Sequence, residues 1–384
     1  MRHQNIVMHD LVKLVPWARF DALTEAHRAD DRARGLTTKA HFLAMLYAQL
    51  AGASSLREIV DGLASHATRL YHLGGVAVKR STLADANRWR QPAVFCGMLT
   101  TLMAQAHRGL RRAMAESVFL IDATVLPLTG SSADWAHFST GVCGAKAHVI
   151  YDPTTDCPLY VAMTGRAVND ITAAQAMPIE PGATYIFDLG YYDYAWWARL
   201  HTAGCRIVTR FKTNTPLTVS ETRTVAAEGT ILSDRIGYLP KRQASSRKNP
   251  FAAPVREVCV RIETGKVLRI LSNDLTASAQ EIADLYKRRW AIELFFRWVK
   301  QTLKIRKFLG TSENAVRIQI AVALIAFLLL RLAQAAQHAV ESPLAFARLV
   351  RANLMHRRRI DQLLKPERRQ PQNAAQIEFQ WATM

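Results

Sequence analysis

Acid is what this chain is short of. Its 384 residues carry 31 Asp and Glu against 50 Lys and Arg, a formal net charge of +19 with a pI near 10.1. That imbalance disfavours a cationic partner and points to nucleic acid or another polyanion; the alternative is a basic protein with no nucleic-acid role. Cysteine is also scarce. The five residues Cys96, Cys143, Cys157, Cys205 and Cys259 are scattered and form no C-x-x-C pair. This speaks against a disulfide framework or a zinc site and fits a reducing, cytoplasmic setting. No charged segment followed by an apolar run opens the chain, so no secretory leader is expected. The most apolar run, Ile320–Leu330, has eleven residues between Gln319 and Arg331. It is too short to span a bilayer, so a buried helix and no membrane partner are expected. Internal repeats and low-complexity tracts are lacking as well.

A chain of this length can hold two or three domains. Residues 1–113 carry helix-spaced apolar residues, notably at Leu11–Trp17, Ala40–Ala51, Ser55–Leu63 and Ala93–Ala106. From 114 to 212 the pattern turns to buried strands: Val118–Ile121, Ala147–Tyr151, Leu159–Met163, Tyr185–Phe187 and Arg206–Arg210, with helices at Asp170–Met177 and Tyr194–Thr202. The expected fold class is α/β, a mixed sheet flanked by helices. Residues 213–276 alternate polar and β-branched residues and predict a β-rich insertion. Residues 277–340 return to helix, and a basic tail is expected over 341–384.

From Tyr286 to Lys307 the sequence holds eight Lys or Arg and one carboxylate, Glu293. On a single helix, Tyr286, Arg289, Glu293, Arg297, Lys300 and Lys304 form one narrow stripe. Leu285, Ile292, Phe295, Phe296, Val299 and Leu303 form an apolar arc beside it. The stripe presents one acid to whatever polyanion its cations attract. Such an acid is tolerable beside phosphate only when protonated or metal-bound.

Two further acids follow buried strands. Asp122 closes SVFLI, and Asp188 closes YIF. Ligands collect at strand ends in open α/β sheets. Three converging carboxylates can hold two Mg²⁺ ions, with Mn²⁺ able to substitute, for phosphoryl transfer. Singly, each such Asp is more often a turn residue or a helix cap. Asp193 and Asp170 are read as caps of the helices that follow them. Lys146 and His148 receive no role.

Tyr286, Arg289, Glu293 and Lys300 match the pattern Y-x2-R-x3-E-x6-K. With D-x-T at Asp122–Thr124 and D-x-G-Y at Asp188–Tyr191, the chain resembles the DDE transposases of the insertion-sequence-four family over about residues 115–335. The resemblance implies a ribonuclease-H-like catalytic core and a metal-binding triad of Asp122, Asp188 and Glu293. It implies phosphate contacts from Tyr286, Arg289 and Lys300, and a dimer on DNA. It also implies that Trp290 manages a distorted base. From the residues alone, Trp290 has an alternative: it shares a flank with Leu294 and Trp298, and the three can pack as a second core contact. The chain departs from those relatives that place a base-holding Trp in the insertion, which here holds Tyr238 and Phe251 but no Trp.

In the N-terminal segment, KRSTLADANRWR at 79–90 reads as a helix capped by Ser81 or Thr82. It would present Asn87, Arg88 and Arg90 to double-stranded DNA, with Arg80 just ahead; the alternative is a solvated basic face. The sequence thus points to a DNA transposase that binds terminal inverted repeats. Its rivals are another ribonuclease-H-like nuclease and a catalytically inactive repressor.

Overall fold

The computed structural model describes residues 6–363 except 32, 71–72, 112–115, 129–131, 140–141, 245–246, 303–307 and 338. Helices come first: α1 Val7–Val12, α2 Trp17–Ala26, α3 Thr38–Ala51, α4 Leu56–Ser65, α5 Ala67–Leu70, α6 Arg80–Trp89 and α7 Ala93–Leu110. The helix expected over Leu11–Trp17 is instead a junction. One helix ends at Val12 and Pro16 is the N-cap of the next, because proline cannot continue a preceding helix. The boundaries of α3 follow from local chemistry. The Thr37 side chain accepts the Ala40 N–H, and Gly52 closes the helix in the left-handed region at φ 74°.

The sheet begins with β1, Val118–Leu128. After α8 (Ala133–Ala136) come β2 His137–Ser139, β3 Val142–Asp152 and β4 Cys157–Gly165. Then follow α9 Asp170–Gln175, β5 Thr184–Phe187, α10 Tyr194–Thr202 and β6 Arg206–Arg210. Strands β4, β3 and β1 form an antiparallel meander, and β5 and β6 continue beside β1 in parallel. This is the ribonuclease-H-like order, and helices cover both faces.

The insertion contributes β7 Thr218–Arg223, β8 Ile231–Tyr238, a small hairpin of β9 Arg242–Ala244 and β10 Arg247–Lys248, β11 Val255–Arg261 and β12 Val267–Ser272. It is not a free-standing module. Strand β12 pairs with β6, so β11, β8 and β7 extend the same sheet. Buried charge ties it down. Arg256, 2% exposed, donates two hydrogen bonds of 2.7 and 2.6 Å to Asp234 and a third to the Ala277 carbonyl. Beside it, fully buried Glu257 accepts from Arg235 at 2.6 Å and from Arg269. Such planar guanidinium–carboxylate pairs fix strand register as well as charge.

Two helices then cross the sheet, α11 Ala279–Arg288 and α12 Trp290–Thr302. The single helix expected here is broken at Arg289. Around the joint the hydrogen bonds tighten to a three-residue spacing, Arg289 N–H to Tyr286 O at 3.1 Å and Ile292 N–H to Arg289 O at 3.3 Å. The two halves rest on different supports: α11 lies on β5, β6 and the insertion strands, α12 on β1 and the closing helices. Helix α13, Glu313–Ala335, is 23 residues long and apolar enough by length to cross a membrane, but 83% of its most apolar window is buried inside the chain. It packs against α3, α6 and α7, joining the helical body to the sheet in one core.

Residues read as a basic tail are folded through residue 363. Helix α14, Pro343–Asn353, packs on α3, α12 and α13. Beyond it, the Val7 and Met8 N–H groups donate to His356 and Leu354 carbonyls at 3.1 and 2.9 Å. Residues 364–384 lie outside the described residues.

Candidate active site

Strand register brings the first two acids together. Leu120 on β1 pairs with Ile186 on β5, so Asp122 and Asp188 each lie two residues further along adjacent parallel strands. Asp122 does not end its strand, as the sequence suggested. Strand β1 runs on to Leu128 paired only with β3, whereas its pairing with β5 stops at Leu120. Asp122 lies just beyond the point where the two strands part, its side chain still 15% exposed. One carboxylate oxygen accepts the Ala123 N–H at 2.8 Å. Asp188 caps a short 3-10 turn, Leu189–Tyr191, by accepting the Gly190 N–H at 2.8 Å.

Glu293 reaches the same place from the first turn of α12. The Arg289 guanidinium joins it to β1: one nitrogen lies 3.3 Å from Asp122 and 3.2 Å from Glu293. Burial pushes the Asp122 carboxyl up to about 7, and the negative charges of Asp188 and Glu293 add to the rise. All three acids therefore share one electrostatic site, with Arg289 as the cation on hand. Among the described residues no three His, Cys, Asp or Glu side chains form a closed metal cluster. The donor set nevertheless suits a hard divalent cation, since two carboxylates already converge on one cationic atom.

A fourth acid borders the site. A Cβ added to Gly190 would lie 3.0 Å from an Asp188 oxygen and 3.4 Å from an Asp170 oxygen, so only glycine fits there without a shift. Asp170 does not cap its helix; Asn169 occupies that position. It is held instead by Lys146 at 3.0 Å, with buried His148 at 3.7 Å. The Tyr191 hydroxyl is buried without a hydrogen-bond partner among the described residues, and burial followed by the charges of Asp122, Asp170 and Asp188 raises it well above the usual phenol range. The sequence reading missed this cluster. Its signal was Lys146 and His148 at i and i+2, on one face of β3.

The remaining expected residues divide. Ile292, Phe295, Phe296 and Val299 are buried, as the apolar arc required; Leu303 and Lys304 lie outside the described residues. Tyr286 is 8% exposed, so it faces the core and not an open stripe. Lys300 is half-buried. Trp290 is 54% exposed with the Arg297 guanidinium 5.9 Å from its ring; Leu294 is exposed too. Only Trp298 of that flank packs, edge-on to Phe327 at 4.9 Å. Trp290 therefore lines a groove of about 510 Å³ with Arg289, Lys287 and Arg261, between α11 and the end of the insertion.

Helix α6 needs a correction. Its N-cap is Lys79, without a side-chain cap bond. Asn87 is 2% exposed and bonded to His41 at 2.8 Å, so it cannot reach a base edge. Arg90 is bonded to the Leu36 and Thr37 carbonyls. Arg80 and Arg88 remain exposed, and so does Trp89, with the Arg88 guanidinium 4.8 Å from its ring.

Residues 113–329 match the model of the transposase DDE domain. The chain belongs to the DDE transposase family. A "Putative transposase y4zB" of Sinorhizobium fredii is 41% identical over 288 residues, covering 74% of this transposase and 80% of that protein. A "Probable transposase for insertion sequence element IS5377" of Geobacillus stearothermophilus is 30% identical over 244 residues, 61% and 62% of the two chains. Residues 3–75 match a domain of unknown function. Among solved structures, piggyBac transposase in a synaptic complex with hairpin DNA overlays 92% of this chain and 82% of its own, at TM-score 0.44 and 12% identity. DDE transposase domains work with divalent metal ions, and the site's carboxylates suit that chemistry.

Proposed function

We propose that this transposase binds terminal inverted repeats and carries out Mg²⁺-dependent cleavage and strand transfer, with Asp122, Asp188 and Glu293 as its metal-holding acids. One observation carries the reading: three acids from β1, the end of β5 and α12 come within one another's electrostatic reach at the end of the parallel pairing, two of them already on one cation. Bound Mg²⁺ would supply an activated nucleophile and charge stabilisation for the leaving 3′ oxygen.

The chain's own groups supply the rest. The hydrogen bonds to Asp122 and Asp188 from Ala123 and Gly190 orient both carboxylates on backbone, the most rigid support available. Arg289, Lys300 and Trp290 would meet the phosphate backbone and a distorted base, with buried Tyr286 hydrogen-bonded to Arg289. Arg80 and Arg88 on α6 serve as contacts to the end DNA. Cutting two ends in register calls for a homodimer on DNA.

The test is cleavage of a duplex bearing the DNA that flanks this gene. Asp122→Asn, Asp188→Asn and Glu293→Gln should each abolish Mg²⁺-dependent cleavage and keep end binding. Near-normal cleavage by any one removes that residue from the triad. Arg88→Ala should weaken end binding and reduce its salt slope by about one unit; unchanged binding and slope place recognition elsewhere.

A further inference from the structure

Arg289 does something more specific than present a charge to DNA. It stands at the break between α11 and α12, where one guanidinium nitrogen contacts two of the three acids at 3.3 and 3.2 Å. A divalent cation that binds both carboxylates needs the lone pairs now aimed at that nitrogen. A guanidinium and such a cation side by side also repel each other. Arg289 and the metal therefore compete for Asp122 and Glu293.

The same side chain has another outlet. Arg289 also lines the groove of about 510 Å³ with Lys287, Trp290 and Arg261. Arg261, Lys287 and Arg289 line it against the two acids Glu263 and Asp284, and the cationic side of that groove is the one a phosphate would take. A phosphate there would offer the guanidinium a bidentate partner of full negative charge. At the helix joint the side chain thus borders both the two acids and the groove.

We propose that Arg289 is a placeholder cation that couples metal loading to DNA binding. Without DNA it holds the two acids together in the cation's place. When a phosphate enters the groove, Arg289 turns to it and frees both carboxylates. The exchange improves charge balance: two acids share one guanidinium before it, and after it two acids hold a divalent metal and the guanidinium holds a phosphate. The device keeps a nuclease site unloaded until its substrate is present. By linkage, metal should tighten DNA binding by the same factor as DNA tightens metal binding.

This inference rests on Asp122 and Glu293 being metal ligands, and the experiment separates the two ideas. Mn²⁺ binding to the full chain is followed by electron paramagnetic resonance, without DNA, for the wild type, Arg289→Gln and Asp122→Asn. Arg289→Gln should bind Mn²⁺ on the order of tenfold more tightly than the wild type. A side chain that merely propped the acids in place would give the opposite sign, weaker binding. Repeating the titration with the flanking-DNA duplex should tighten Mn²⁺ binding by the wild type and leave Arg289→Gln nearly unchanged. Arg289→Lys, which keeps the charge but cannot fork, should fall between. Mn²⁺ affinity in Arg289→Gln equal to or weaker than wild type, or equal DNA-induced tightening in both, overturns the proposal while leaving the triad intact. Asp122→Asn binding Mn²⁺ as the wild type does overturns the metal site itself.

Discussion

Replacing Phe295 by alanine tests which way α12 faces, and with it the placement of Glu293. The Phe295 side chain is 4% exposed. Its ring lies 4.9 Å from that of Tyr151, 5.1 Å from Phe327 and 5.5 Å from Phe296. Truncating a buried phenylalanine costs about 3–5 kcal/mol, and loss of three aromatic neighbours favours the upper part of that range. Trp290, five residues earlier, is 54% exposed, with the Arg297 guanidinium 5.9 Å from its ring. Its replacement by alanine should cost no more than about 1 kcal/mol. Urea unfolding followed by circular dichroism should show a clear midpoint drop for Phe295→Ala and almost none for Trp290→Ala. DNA titration should show the reverse ranking. Equal stability losses in the two variants would mean that Trp290 is a core residue and that the face carrying Glu293 has been assigned wrongly.

Two further perturbations probe the frame around the site. Arg256→Met leaves Asp234 buried and unpaired at 4% exposure, which should destabilise the protein by about 3–5 kcal/mol, whereas Arg256→Met combined with Asp234→Leu should recover most of that loss in the same urea assay. Buried His41 is depressed from 6.5 to about 3, mainly by burial, although its bond to Asn87 acts the other way. Between those values the unfolded chain binds the proton and the folded chain does not. Stability is therefore full above about pH 6.5 and falls toward pH 3, by up to about 1.4 kcal/mol per pH unit from this group. His41→Phe should show a shallower acid slope in unfolding measured from pH 7 to 4; an unchanged slope would mean that His41 does not titrate on unfolding.

Much of the catalytic half was readable because its signals are local. Apolar runs ending in Asp122 and Asp188 mark two strands, and the cap at Asp193 starts α10 by accepting the Trp196 N–H at 2.8 Å. Contacts between distant segments were not readable. Periodicity says that β1 and β5 exist but not that Leu120 pairs with Ile186, and that register is what sets the two acids side by side. The break at Arg289 has no glycine or proline to announce it. It arises because α11 and α12 settle on different supports, a tertiary effect that overrides local propensity. Asn87 was misread for the same reason. A polar residue on α6 is a candidate for solvent until α3 is known to place His41 against it. The Asp170, Lys146 and His148 cluster joins β3 to α9 across the turn after β4, so no short window contains it.

The central claim is that Asp122 holds a divalent metal during DNA cleavage. Its most direct test is Asp122→Cys, assayed on the flanking-DNA duplex with Mg²⁺ and with Mn²⁺. A thiolate is a poor ligand for Mg²⁺ and a better one for the softer ion. Cleavage should disappear in Mg²⁺ and return in part in Mn²⁺, with DNA binding unchanged in both. Wild-type cleavage by the cysteine variant in Mg²⁺ would contradict the assignment.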